Sequence, residues 1–513
     1  MNHNIKKINH LIDTLGYEEA FLYLKQIPLD KINSKILEIF LRVCKNICKH
    51  QFAFNLLEQL SAKLNNNLIF LYQKALFLKD YGFVLQSIQI LNSLRKKNIH
   101  PEERKKIYYL IGEILWKSNR FNLALKFYLF FQKQYPNEYQ ISRNVLICHS
   151  NLGNFDGASS QLTILKKINP FDCGEDYRVV TQLKKFTHLS DPYIDEIKNL
   201  LAKDLNSNSK SQLLFALGKI YEDLSDYQQS ANYYKEANNL KNIEYANFSI
   251  QKKIDQFENL KKVFNQKFLQ SSETSNLCKS FFIVGMPRSG TTLLENILSS
   301  CEQISPGGEL STYSKYFNTI YQYRFNNSYK NFSKNVTQKD LEDIGSFYND
   351  EINRMYKSNY IINKLPHNFL YTGFISRSFK NTKIIHCTRD KNDVLLSIYK
   401  NFFAGRLLDF VYNTDNLKNY YQFYLDVMAY WAKVLDDNSI FELNYKKLIE
   451  SPETELQLLF DYLEIKFDKK YLEFYKNSKG IKTLSINQAN KKIYKDSKHK
   501  WKLFEPYMPE LFS

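Results

Sequence analysis

The stretch Ser280-Phe281-Phe282-Ile283-Val284-Gly285-Met286-Pro287-Arg288-Ser289-Gly290-Thr291-Thr292-Leu293-Leu294-Glu295-Asn296-Ile297-Leu298 decides how the second half of this chain folds. It opens on a short continuous apolar run, 280–284, the pattern of a strand buried on both faces of a parallel sheet. It closes on residues with helical spacing, 292–298. A Gly-containing turn joins the two. Strand, turn and helix N-terminus in that order aim backbone N–H groups and the positive helix end at an anion, a geometry that holds phosphate. The spacing matches the nucleotide-phosphate loop G-x-x-x-x-G-K-[ST], except that Thr291 replaces the Lys. That Lys normally reaches the β- and γ-phosphates. Its replacement argues against ATP or GTP hydrolysis and leaves a cradle for another phosphate. A turn that binds nothing is the alternative.

Downstream, Lys383-Ile384-Ile385-His386-Cys387-Thr388-Arg389-Asp390 reads as a second buried strand ending on a cation, and Asn392 onward reads as a helix carrying Ser397. An Arg fork and a Ser O–H can clamp a second phosphate. Asp390 could instead serve as the Mg²⁺-binding acid of an NTPase, but it follows Arg389 directly and the loop lacks its Lys. Lys364 follows the strand-like residues 360–363 and precedes Pro366, which puts it at a strand end near the cradle rather than on an open surface. Further on, Ser305-Pro306-Gly307-Gly308-Glu309-Leu310 uses a Gly pair to bring the backbone close. Glu309 then faces the cleft as the one acid between Glu302 and Asp340. It is the candidate general base. His367 and His386 are rivals by type, although His386 lies mid-strand.

Taken together, 282–294 with its P-R-S-G-T-T core and 385–399 with its R-D…S resemble the 5′- and 3′-phosphosulfate-binding motifs of sulfotransferases. Ile361-Ile362-Asn363-Lys364-Leu365-Pro366 resembles the (D/N)-K-x-P block of the tyrosylprotein sulfotransferase-like branch. Asn444-Tyr445-Lys446-Lys447-Leu448 resembles its Y-E-x-L block, Ser485-Ile486-Asn487-Gln488 its S-x-x-Q block, and Trp501…Tyr507 its closing tail. The resemblance spans 278–513. It implies a P-loop-like α/β domain with a central parallel sheet and a donor, 3′-phosphoadenosine 5′-phosphosulfate (PAPS), with no metal. It further implies that Arg288, Ser289, Gly290, Thr291 and Thr292 hold the 5′-phosphate and that Arg389 and Ser397 hold the 3′-phosphate. Lys364 would neutralise the bridging oxygen. Tyr445 would stack on or border adenine, a core tyrosine being the other reading. Ser485 and Lys491 would close over the donor, with Lys492 in the alternative register. In the family the base is a Glu within G-E-E-T-R. Here the stretch is G-G-E-L-S, so the following Arg is missing and the peptide contacts it would make are not implied.

The first half repeats itself. Phe121 and Phe155, Ala124 and Ala158, and Pro136 and Pro170 are each 34 residues apart, the period and pattern of the tetratricopeptide repeat. Gly112 and Gly218 each precede an aromatic, Phe121 and Tyr227, by nine residues, where one helix must pack closely on the next. Weaker copies sit around Tyr17-Glu18-Glu19-Ala20, Phe52 and Phe83. One helix pair cannot bury its apolar face alone, so the pairs stack. The expected organisation is an all-α tetratricopeptide solenoid over 1–245, a capping helix and linker over 246–277, and a sulfotransferase-like domain over 278–513. Chains that join such repeats to such a domain are a known bacterial architecture, which this one resembles.

Composition fits this division. A chain of 513 residues is too long for one core. Its 44% hydrophobic content excludes a largely disordered chain, and 15 Gly with 11 Pro exclude low-complexity classes. The net charge of +18 is spread over both halves, so a nucleic-acid partner is not expected. Residues 478–502 are the exception, with eight Lys and one acid. Seven scattered cysteines without a C-x-x-C pair, no apolar leader at the N-terminus and no long apolar run point to a reducing compartment, the cytoplasm, with no transmembrane segment. The expected partners are PAPS or its product PAP, a hydroxyl acceptor (protein tyrosine, glycan or small phenol) and a protein bound through the repeats. A different function class stays open: an inactive repeat scaffold that keeps a PAP-like site. A P-loop nucleotide kinase or NTPase is the competing enzyme class.

Overall fold

The computed structural model describes residues 2–14, 16–169, 173–245, 248–264, 268, 274–403, 408–436, 438–476 and 499–513. From Asn2–Thr14 to Tyr227–Glu244 the chain is a run of helices joined by short turns. In five of these turns the second residue after the first helix sits in the left-handed region: Cys48, Gly82, Asn119, Gly153 and Ser225. The next residue's N–H then reaches back five residues, as from Arg120 to the Leu115 carbonyl and from Asp226 to the Tyr221 carbonyl, both at 2.9 Å. This helix stop satisfies carbonyls that the end of a helix leaves bare. The fourth residue of each helix that follows these turns, and of Tyr17–Lys25, is small and fully buried: Ala53, Ser87, Ala124, Ala158, Ser230 and Ala20. Where it is Ser, the hydroxyl donates to a carbonyl of the helix before, from Ser87 to Ala75 and from Ser230 to Gly218, each at 2.7 Å. In the copies around Phe52 and Phe83, His50 and Val84 stand at the Phe121 position, because the turn residues Cys48 and Gly82 fix the count.

Gly112 and Gly218 act as expected. A Cβ on Gly112 would lie 2.2 Å from the Tyr128 ring, and one on Gly218 would lie 2.5 Å from the Tyr234 ring. The intervening copy has Leu146 and Leu162 at the equivalent positions, both buried in one cluster. A Gly–Tyr pair and a Leu–Leu pair fill comparable space, which is how a repeat changes sequence and keeps its packing.

The second half is a sheet of five parallel strands with helices on both faces. The strands are β1 (Ser280–Gly285), β2 (Ile304–Pro306), β3 (Tyr360–Lys364), β4 (Lys383–Thr388) and β5 (Ile440–Asn444), in the order β2-β3-β1-β4-β5. Alternate residues of β1 go to opposite faces. Phe281 and Ile283 pack with Leu294, Ile297 and Leu298, whereas Phe282 and Val284 join the cluster with Tyr313, Phe317 and Tyr348. Burial on both faces explains the continuous apolar run. The architecture is thus an all-α repeat half followed by an α/β half with a central parallel sheet.

The two halves share a core. Leu214, Phe215, Ala231 and Tyr234 of the last repeat helices lie in the same apolar cluster as Tyr399, Phe402 and Phe504. Phe504 meets the Tyr227 ring edge-on at 5.3 Å, Asn238 Nδ2 donates to the Tyr399 carbonyl at 2.9 Å, and Lys400 pairs with Glu222 at 2.5 Å. Earlier repeats also touch the α/β half. His50 meets Phe347 edge-on at 5.0 Å, and Arg354 Nε donates to the Tyr81 carbonyl at 2.9 Å. The helix expected to cap the solenoid is Ile250–Lys261, and its Phe257 lies edge-on to Phe423, Tyr430 and Trp431. Its apolar face therefore seats on the α/β half. Among the described residues no helix is long and apolar enough to cross a membrane.

Candidate active site

In open α/β sheets, ligands bind beyond the carboxyl ends of the strands. β1 lies between β3 and β4, so its loop is flanked by Lys364 at the end of β3 and Arg389 just after β4. The turn after β1 runs Gly285 (φ 146°), Arg288 (φ 70°) and Gly290 (φ 100°) into the helix Thr291–Leu298. Gly290 is required there twice over. Its φ disfavours any side chain, and a Cβ would lie 2.5 Å from the Tyr445 ring. Ser289, Thr291 and Thr292 are buried in the turn. Among the described residues the Ser289 Oγ has no hydrogen-bond partner. A buried hydroxyl without a partner is costly unless a ligand supplies one, so this atom fits a bound anion.

The second clamp closes on the first. Arg288 Nε donates to Ser397 Oγ at 3.0 Å, Arg389 donates to the Arg288 carbonyl at 3.2 Å, and the Arg389 guanidinium lies 4.7 Å from the Tyr445 ring centroid. Tyr445 is half-buried between Gly290 and Arg389 and is not a core residue. Asp390 caps the helix Lys391–Tyr399, its carboxylate accepting the Asp393 N–H at 3.0 Å. Its carboxylate therefore has a structural task.

Lys364 is 1% exposed and reaches Glu309 Oε1 at 2.9 Å and Glu295 Oε2 at 3.8 Å. A buried ammonium is tolerable only when paired, and two carboxylates pair it. Glu309 lies on the loop after β2, with its side chain 53% exposed towards solvent. That loop is tied down at three points. Gly307 N–H donates to the Ile362 carbonyl at 2.9 Å, Lys364 N–H to the Gly308 carbonyl at 2.9 Å, and Gly308 N–H to Glu295 Oε1 at 2.8 Å. The repeats also reach it. A Cβ on Gly308 would lie 3.6 Å from Asn119 Nδ2, at the turn between two repeat helices. Burial pulls His367 and His386 down to about 4, so both rings are neutral near pH 7. His386 Nε2 shares a hydrogen bond with the Tyr424 hydroxyl in the core.

The structure thus gathers Arg288, Ser289, Gly290, Thr291, Thr292, Arg389, Ser397 and Tyr445 around one turn, with Lys364 and Glu309 on the adjoining strand ends. Ser485, Lys491 and Lys492 lie outside the described residues. Sequence reasoning missed Glu295. Its signal was an acid three residues after Thr292, on a short and mostly apolar helix. Asn119 carried no signal, because only the stacking of the repeats brings it to Gly308. Among the described residues no group of three or more His, Cys, Asp or Glu side chains is placed to hold a metal ion.

Residues 280–469 match the Sulfotransferase family, and residues 211–243 match the tetratricopeptide repeat. The chain carries a sulfotransferase-family domain in its C-terminal region, preceded by a tetratricopeptide repeat. A protein of Aquifex aeolicus (strain VF5) is 27% identical over 458 residues, which cover 84% of this chain and 58% of that protein. This chain therefore spans little more than half the length of that relative. A Caenorhabditis briggsae protein named as a protein-tyrosine sulfotransferase is 26% identical over 215 residues, 39% of this chain and 71% of that protein. Among solved structures, the sulfotransferase domain from the curacin biosynthetic pathway is 17% identical with a TM-score of 0.31, covering 47% of this chain and 99% of that chain. A tetratricopeptide repeat protein from Parabacteroides merdae is 16% identical with a TM-score of 0.31, covering 47% of this chain and 92% of that one.

Proposed function

We propose that the C-terminal domain, 278–513, transfers a sulfuryl group from PAPS to a hydroxyl acceptor, and that the repeats of 1–245 dock the acceptor or a partner protein. One observation carries this reading. Two arginines from different strand ends, Ser397 and the Ser289 hydroxyl, which has no partner among the described residues, converge on one turn, and Lys364 at the next strand end pairs with Glu309. The first group suits the two phosphates of PAPS and the second suits transfer.

The donor supplies a sulfuryl group activated by its phosphate leaving group. Arg288, Ser289, Thr291, Thr292 and the backbone of the turn would hold the 5′-phosphate, and Arg389 with Ser397 the 3′-phosphate. Tyr445 would border the adenine. Glu309 would take the proton as the acceptor oxygen attacks sulfur. Lys364 would meet the negative charge left on the bridging oxygen as the S–O bond breaks. Such charge relief by fixed cations and amides needs no metal. Glu309 is solvent-facing, as a base that meets an incoming acceptor must be, whereas Lys364 is enclosed. Asn119 beside Gly308 supports a role for the repeats in choosing the acceptor. A protein tyrosine, a glycan hydroxyl and a small phenol all have the required O–H. The relative from Caenorhabditis briggsae makes the first a natural candidate. All seven cysteines are unpaired, in keeping with a cytoplasmic protein.

The test is ligand binding to the full chain followed by turnover. PAP at about 100 Kd should stabilise the protein by about 2.7 kcal/mol. Arg389→Ala should weaken PAP binding without unfolding the domain. PAPS should sulfate tyrosine peptide or a small phenol. Stabilisation by ATP with Mg²⁺ and none by PAP would replace this reading with that of an NTPase. PAP binding without turnover on any of the three acceptor classes would favour an inactive scaffold.

A further inference from the structure

Glu295 is a buried acid beside the Lys364–Glu309 pair that the proposed chemistry leaves without a task. It lies on the helix after the phosphate turn, 4% exposed. One oxygen accepts the Gly308 N–H at 2.8 Å, and the other faces the Lys364 ammonium at 3.8 Å. Burial pushes its carboxyl above the ordinary range, opposed by Lys364 and by the Gly308 N–H. A carboxylate placed only to fill space would be replaced at less cost by an apolar side chain. This one touches the backbone beside Glu309 and the side chain of Lys364 at once.

The proposed reaction explains why both contacts matter. Lys364 and Glu309 are bound to each other at 2.9 Å. To act, they must part: Glu309 turns to the acceptor's proton and Lys364 to the leaving oxygen. At that moment Lys364, enclosed and charged, needs a remaining partner, and the Glu309 loop needs a fixed point. We propose that Glu295 is the positioning residue of this site, a single carboxylate that anchors the loop at Gly308 and retains the Lys364 ammonium while Glu309 leaves the pair. This inference rests on the sulfuryl-transfer reading for its purpose, but its geometry can be tested without turnover.

The experiment is a stability cycle in the full chain with Glu295→Gln, Lys364→Met and the double variant, followed by PAP titration and kinetics. Gln keeps an oxygen for Gly308 N–H and removes the charge that faces Lys364. If Glu295 holds Lys364, Lys364→Met strands a buried carboxylate and lowers the melting temperature, and adding Glu295→Gln restores most of the loss. Additive effects would overturn the proposal, because Lys364 would then belong to Glu309 alone. In kinetics, Glu295→Gln should lower kcat by roughly tenfold to a hundredfold, as misplaced catalytic groups do. The acceptor KM and the PAP affinity should stay close to those of the parent, because an effect confined to the transition state leaves ground-state binding unchanged. A loss of PAP affinity matching the loss of kcat would assign Glu295 a merely structural role. Should Glu295→Gln not fold, Glu295→Asp, which keeps the charge but is too short for both contacts, carries the kinetic comparison: kcat should fall while PAP affinity is kept, and an unchanged kcat would overturn the proposal. A parent chain that neither binds PAP nor transfers sulfate would sink the sulfuryl-transfer reading alone, since the stability cycle is read independently of it.

Discussion

Gly290→Ala is a sharp test of the phosphate turn. At φ 100° an alanine is in a region that costs an L-residue about 1–2 kcal/mol. Its methyl would also lie 2.5 Å from Cδ2 and 3.1 Å from Cε2 of Tyr445. Overpacking of this kind costs about 1–3 kcal/mol. The sum is about 2–5 kcal/mol of lost stability. The ring can swing away, but it then leaves the Arg389 guanidinium 4.7 Å from its centroid and uncovers the side of the turn proposed for the nucleotide. Denaturant unfolding of Gly290→Ala, Tyr445→Ala and the double variant separates the two contributions. The φ cost stays in the double variant and the overpacking disappears, so a coupling of about 1–3 kcal/mol is expected. PAP calorimetry on the single Gly290→Ala variant should show affinity weakened by at least about tenfold, equivalent to about 1.4 kcal/mol. Purely additive stabilities would mean that the ring does not abut Gly290, and an unchanged PAP affinity would remove the turn from the donor site.

Glu309→Gln should keep PAP affinity and lose turnover by about 10²–10⁴-fold, the usual cost of removing a general base; full activity would return attention to a histidine. His386 is held at about 4 by burial against an ordinary 6.5. Unfolding releases it to take up a proton, so its contribution is complete above pH 6.5 and is lost as pH falls towards about 4, by about 3 kcal/mol. His386→Gln should flatten the stability curve over that interval, and an unchanged curve would refute the assignment. A chain starting near residue 270 would expose Tyr399, Phe402 and Phe504, which now pack on the last repeat helices. It is expected to be poorly soluble, whereas one starting near residue 205 should keep PAP affinity; a stable, soluble chain from 270 would show that the shared core is dispensable.

Much of this site was legible because its signals are local. The apolar run of β1, the turn from Gly285 to Gly290 and the helix after it are contiguous, and each residue's neighbours in sequence dictate its conformation. Arg389 and Lys364 were readable as strand-end cations for the same reason. In the repeats, Gly112 and Gly218 could be assigned to close helix contacts from spacing alone, since a glycine inside a helix is unfavourable unless something lies against it. Register was harder. Copies around Phe52 and Phe83 were readable without an exact register, because the left-handed turns at Cys48 and Gly82 set the count, and a cysteine gives no hint of that conformation.

The two kinds of structure, the period of the repeats and the residues of the phosphate turn can be read along the chain, because all follow from backbone preference and from burial at a fixed period. Which of these parts meet emerges only on folding. Strand order placed β1 between β3 and β4 and so brought Lys364 and Arg389 to the same turn. Stacking of the repeats carried Asn119 to Gly308 and fused the last repeat helices with the C-terminal core. Glu295 became more than a helical residue only when the loop after β2 folded back to offer it the Gly308 N–H and β3 offered it Lys364. Such contacts join residues far apart in the chain. No local preference encodes them, because their energy exists only once both partners have left water together.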